Sequence, residues 1–216
     1  MPPRTKAEWR KDVLAQRAAM TPTERARCSA AAGQHLWACA PVRTAQRLAA
    51  FMARPDEVQT TDFIARCHAA GRQVCVPRRT PAGTYAFAWI TPATRWQAGT
   101  WGIIEPVEET APVEPLTLDV IIVPAVAVDA AGHRLGHGGG YYDRLLADYG
   151  GPRVALVFDC QRVATLPVEA HDQPLTGMVT ESGYCHFNTI DQNLNLNNHS
   201  DARPVQASEG ACHDHH

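Results

Sequence analysis

Apolar positions recur at three- and four-residue spacing through the first forty residues, and the pattern is punctuated by capping residues and prolines. Thr5 with Glu8 three places later is a capping-box signal, and Trp9, Val13 and Leu14 then keep helical spacing up to Met20. A second start follows at Thr21, with Pro22 in the first helical position and Glu24 three after the cap, predicting a helix to about Cys39. Pro41 breaks that pattern. Gln46 to Ala53 (QRLAAFMA) then reads as a strand closed by Pro55-Asp56, with Glu57 just beyond its carboxyl end, where open α/β sheets place their ligands. Phe63, Ile64 and Cys67 carry another helix ending at Gly71, and Gln73 to Pro77 (QVCVP) completes a βαβ unit.

The pattern is less regular over residues 78–118, where Tyr85–Ile90 is the clearest strand among prolines at 81, 92, 106, 112 and 115. The most apolar run, Val120 to Val128 (VIIVPAVAV), then leads toward RLGHGGGYYDR (Arg134 to Arg144) and YYDRLLADYG, in which Tyr141, Leu145 and Tyr149 are four apart. This predicts strand, glycine loop, helix. Buried strands are also expected at Arg153–Phe158 and Gly177–Thr180. The alternation predicts an α/β protein: layered, with a mainly parallel central sheet flanked by helices, as a single domain over residues 1–189. Residues 190–216, rich in Asn, His, Asp and Ser, have too few apolar positions to join a core and are expected to form a disordered polar tail.

Gly136, Gly138, Gly139 and Gly140 let the backbone take positive φ and approach a ligand closely. Such a loop can aim N–H groups at phosphate oxygens, while Arg134 adds a cation, Tyr141 and Tyr142 add flat surfaces, and Asp143 adds a hard oxygen donor. A tight strand-to-helix turn without a ligand uses the same glycines. The loop is not a P-loop, since no Lys-Ser/Thr pair follows, and Tyr141 stands where a dinucleotide fingerprint needs its third glycine. On the first helix Lys6 and Arg10 are i and i+4, so two cations share one face and either point into water or meet an anion.

Composition narrows the partners. A formal charge of -2 excludes a general nucleic-acid binder, while nine Lys/Arg against three Asp/Glu in residues 1–50 leave room for a basic pocket. Seven scattered cysteines without a C-x-x-C pair indicate neither a disulfide framework nor a zinc site. MPPRTKAEWR has no apolar leader core and no run approaches the roughly 20 apolar residues of a membrane span, so a cytoplasmic protein with no membrane partner is expected.

Taken in order, Lys6…Arg10, Glu57, Gly71 through Pro77-Arg78, Gly102…Glu105-Pro106, Arg134–Arg144, Gln161, Pro167, Asp172 and Thr180-Glu181 resemble the 5-formyltetrahydrofolate cyclo-ligase family over about residues 5–187. The resemblance implies ATP-dependent cyclisation of 5-formyltetrahydrofolate to 5,10-methenyltetrahydrofolate with Mg²⁺, and a monomer is expected, although the sequence itself does not give the oligomeric state. It implies an ATP site at Lys6, Arg10, Arg134, Gly136, Gly138, Gly139, Gly140, Tyr141 and Tyr142. It implies folate contacts at Arg10, Met52, Glu57, His137, Gly138, Gly139, Gly140 and Tyr141, catalysis at Arg134 and Tyr141, and metal ligands at Asp143 and Asp172.

Overall fold

Both expected capping boxes form in the computed structural model, which describes residues 3–99, 102–107 and 111–187. The Thr5 hydroxyl accepts from Glu8 N–H while the Glu8 carboxylate accepts from Thr5 N–H, and this opens α1 (Lys6–Ala19). Thr21 and Glu24 repeat the arrangement for α2 (Pro22–Ala38), and a single turn, α3 (Ala40–Arg43), follows.

β1 (Arg47–Ala49) is shorter than the Gln46–Ala53 strand that the apolar pattern predicts. Ala50 N–H still reaches Cys75 O, but the Phe51 carbonyl is taken by the Thr60 hydroxyl at 2.6 Å, and the chain then turns at Arg54–Glu57. Side-chain capture of a strand carbonyl competes with the ladder. Next come α4 (Thr61–Ala69), β2 (Gln73–Arg79) and β3 (Tyr85–Ile90). The irregular segment contributes a small antiparallel pair, β4 (Trp96–Ala98) and β5 (Ile104–Pro106). Trp101, part of the expected turn, lies outside the described residues.

The Val120–Val128 run is not one strand. β6 (Val120–Val123) stops before Pro124, which has no N–H to donate, and β7 (Ala127–Asp129) joins another sheet with β8 (Arg134–Leu135). The strand that delivers the glycine loop is therefore β8. The helix after the loop is also shorter than its spacing suggests: α5 spans Tyr141–Leu146 and stops before Gly150 and Gly151. β9 (Arg153–Leu156), β10 (Arg162–Val163), β11 (Gly177–Thr180) and β12 (Gly183–His186) complete the fold.

The main sheet has seven strands in the order β12-β11-β9-β6-β1-β2-β3. Its five inner strands are parallel, and an antiparallel strand closes each edge. Successive residues feed opposite faces. Leu48, Val120, Ile122 and Val154 pack with α2 and α4, while Ala49, Ile121, Val123 and Ala155 pack beneath Leu145, Leu146 and Tyr149. The chain progresses outward from β1 to β2 and in the opposite direction from β6 to β9 and β11, so the strand order reverses between β1 and β6. Ligand crevices form at the carboxyl ends of such neighbours. α1 is held beside that point by Val13, which packs with Val126, Ala127, Leu135 and Leu166. The result is the expected single α/β domain. Among the described residues no helix is long and apolar enough to cross a membrane.

Candidate active site

A cleft of about 800 Å³ opens at the β1/β6 reversal, floored by Phe51 and Met52 after β1 and by Pro124 and Ala125 after β6. The glycine loop forms its wall, and each glycine there has a physical reason. Gly138 (φ 101°) and Gly140 (φ 61°) occupy the left-handed region. A Cβ on Gly139 would stand 2.2 Å from the Tyr141 ring, so that ring can lie on the loop only because a side chain is missing. Tyr141 meets Tyr85 of β3 edge to face at 4.7 Å between centroids, which places a small aromatic surface at one end of the cleft.

Lys6, Arg10, Met52, Glu57, Arg134, Gly136, His137, Gly138, Gly139, Gly140, Tyr141, Tyr142, Asp143 and Asp172 all line this one cleft. The two cations of α1 do not simply point into water. Lys6 Nζ lies 2.7 Å from Asp172 Oδ2, and Arg10 Nε donates to Gly136 O at 2.8 Å, so both are drawn to the loop side. Arg134 is buried, with Nη2 2.6 Å from Asp143 Oδ1, yet its Nε has no hydrogen-bond partner. The Tyr142 hydroxyl is likewise buried without a partner, and burial pushes its pKa up, so it is a neutral O–H donor.

Glu57 is 7% exposed. Its Oε2 accepts from Arg54 N–H at 2.9 Å, while Oε1 stands 3.7 Å from His137 Nε2. Burial alone would raise the Asp172 carboxyl; hydrogen bonds from Lys6 and Glu169 N–H, with the Lys6 charge, bring it below the ordinary carboxylate range. Asp172 also shares a cluster with Glu169 and His171, whose donor atoms all lie within 4.8 Å of one another. Asp143 is not in that cluster.

Some of the lining was not assigned from sequence. Arg54, Tyr85, Glu105 and Glu169 all face the cleft. Glu105 had a signal in the Gly102…Glu105-Pro106 turn, and the structure buries it to 5% exposure with Oε2 on Arg79 N–H. Glu169 is tied to Asp172 three residues on, a spacing that could have suggested it.

The family model described as the 5-formyltetrahydrofolate cyclo-ligase family matches residues 3–181. The chain belongs to the 5-formyltetrahydrofolate cyclo-ligase family. The Escherichia coli K12 5-formyltetrahydrofolate cyclo-ligase is 36% identical over 173 residues, covering 77% of this chain and 95% of its own. The Haemophilus influenzae enzyme of that name is 30% identical over 172 residues, covering 77% and 92%. The NMR structure of Aquifex aeolicus 5,10-methenyltetrahydrofolate synthetase is 30% identical and superposes with a TM-score of 0.75 over 94% of this chain and 96% of that one. The chain is thus an enzyme of the cyclo-ligase family, and the fold of its relative covers nearly the whole described domain.

Proposed function

We propose that this cleft closes 5-formyltetrahydrofolate to 5,10-methenyltetrahydrofolate with conversion of ATP to ADP and phosphate. The observation that carries the reading is the convergence of α1, the Arg54–Glu57 turn, the glycine loop, α5 and the Glu169–Asp172 segment on one cleft at the sheet reversal. The family supplies the substrate, and the chemistry supplies the need for ATP. N5 donates its lone pair into the formyl carbonyl, so N10 cannot close the ring and expel that oxygen unaided. Transfer of the γ-phosphoryl group to the oxygen breaks the bond to ADP and makes a phosphate ester. N10 then attacks the carbon, loses its proton, and the C–O bond breaks with the electron pair leaving on phosphate.

The protein's part is alignment and charge neutralisation. Lys6, Arg10 and Arg134, with the N–H groups of Gly136 and Gly138 to Gly140 and the rings of Tyr141 and Tyr142, form the ATP end in this reading. Met52, Glu57, His137 and Tyr141, with Arg10 and the same loop, form the folate end. In the same reading Arg134 and Tyr141 are the residues that act on the reacting groups. The carboxylates of Asp143 and Asp172 are hard oxygen donors suited to Mg²⁺, which when bound would neutralise phosphate charge. At present each is paired with a cation, Arg134 or Lys6, so anionic phosphate and carboxylate compete for the same positive groups.

The test is methenyltetrahydrofolate formation with and without ATP, followed by isotope tracing. Labelled formyl oxygen is expected in the released phosphate in amount equal to product. Label found only in water would overturn phosphoryl transfer even with the overall reaction established.

A further inference from the structure

The cleft-facing stripe of α1 does not stop at Lys6 and Arg10. At 100° per residue, Arg17 falls within about 40° of both around the helix axis, so the same face presents a third cation one step deeper. Arg17 is 1% exposed, and it does not line the cleft. Its Nη2 lies 2.5 Å from Asp56 Oδ2 and its Nη1 lies 3.9 Å from Glu57 Oε1, while Nε and Nη1 have no hydrogen-bond partner. A guanidinium buried with two nitrogens unsatisfied is a poor device for stability, since apolar replacements of buried ion pairs are often neutral or better. Its location behind the Arg54–Glu57 turn has a different consequence. The Glu57 Oε2 atom is fixed by Arg54 N–H, while Oε1 stands within 4 Å of both Arg17 Nη1 and His137 Nε2.

We infer that Arg17 is a positioning residue: it fixes the Asp56-Glu57 turn from behind and holds the Glu57 Oε1 atom toward the folate end of the cleft. This rests on the reading that Glu57 contacts the folate. Arg17 acts on the folate end alone, because its carboxylate partners are Asp56 and Glu57, whereas Lys6 and Arg134 pair with Asp172 and Asp143. A purely structural arginine would disturb both ligands alike.

Steady-state kinetics of R17K, E57Q and R17K/E57Q with 5-formyltetrahydrofolate and ATP test the inference. R17K keeps the charge but cannot reach both carboxylates, and is expected to raise the KM for 5-formyltetrahydrofolate about tenfold with the KM for ATP unchanged. In the E57Q background the same substitution has no further effect. D56N, at a partly exposed position, releases Arg17 from its tighter partner and raises the same KM by less. An R17K effect undiminished by E57Q, or an equal rise in both KM values, overturns the inference. A crystal structure of R17K separates the two layers of the argument. Glu57 found in its present position overturns the positioning role, whereas a rotated Glu57 with an unchanged folate KM upholds positioning and overturns the substrate role of Glu57.

Discussion

Asp129 and Glu57 are both buried carboxylates, at 2% and 7% exposure, and they are used in opposite ways. Asp129 sits at the end of β7 and takes every donor around it: Ala131 N–H and His133 N–H on Oδ1, and His133 Nδ1 and Leu166 N–H on Oδ2. It ties the β7–β8 hairpin, which carries Arg134 and the glycine loop, to the segment leading to Asp172. Glu57 satisfies one oxygen with Arg54 N–H and leaves the other facing the cleft. A saturated buried acid holds the frame; one with an oxygen left over is available to a ligand.

The largest expected effect on this contrast comes from Asp129→Ala. Four donors lose their acceptor, two of them main-chain groups of a tight turn, and a loss of about 3 kcal/mol is expected, or about 6–12 °C in Tm. Calorimetry or thermal melting followed by circular dichroism measures it. A fall no larger than that of Glu57→Gln would break the contrast at its structural end.

Glu57→Gln should do the reverse. The amide keeps an oxygen for Arg54 N–H, so Tm stays near the parental value, while kcat/KM for 5-formyltetrahydrofolate falls about 100-fold, roughly 2.7 kcal/mol. Kinetics with the folate varied check this, and a parental kcat/KM would make Glu57 a frame residue like Asp129.

Sequence patterns reported local causes well and long-range ones poorly. The Thr5–Glu8 and Thr21–Glu24 boxes, the Tyr85–Ile90 strand and the glycine loop are all written within a few residues, and all are present. The Val120–Val128 run misled because apolar content does not say which sheet a strand joins; Pro124 and the pairing of Ala127 with Leu135 decide that. β12 escaped notice because it is an edge strand whose residues are all half-buried or exposed, so it lacks a core-facing apolar pattern. In the cleft, Lys6 and Arg10 were legible as neighbours on one helical face. Their partners Asp172 and Gly136 were not, because they lie 166 and 126 positions further along the chain. Arg17 was hidden for the same reason, since only the folded chain brings Asp56 and Glu57 to it.

Tyr142→Phe sharpens the contrast with a neutral group. The hydroxyl is buried at the cleft without a partner, so its removal relieves an unmet donor and should leave stability unchanged or raised by up to about 1 kcal/mol. Activity is expected to fall about tenfold, roughly 1.4 kcal/mol, if an unpartnered polar atom in this cleft marks a ligand contact. Raised Tm with parental kinetics would show that an orphan donor in this cleft need not face a ligand.

The smallest effect is a pH dependence at the saturated end. The hydrogen bond that His133 Nδ1 donates to Asp129 raises the His133 pKa; partial burial opposes the rise, and the charges of Asp129 and Asp172 add to it. A histidine whose folded pKa is raised contributes stability that is complete below its unfolded value of 6.5 and is lost as pH rises through the folded value. For Asp129, burial alone would raise the pKa, but the His133 side-chain and main-chain hydrogen bonds, the His133 charge and Leu166 N–H hold it down, so its contribution is present above 3.8 and lost as pH falls. Both contributions are therefore in force together between those two values. His133→Gln keeps the main-chain donor to Asp129 Oδ1 and removes only the titrating partner, so its deficit relative to the parent should be about 1 kcal/mol near pH 5.5. That deficit should shrink as the pH is raised above 7. Denaturant melts of both proteins across that range read the difference directly. A deficit that stays constant with pH would show that His133 is held by shape and not by charge.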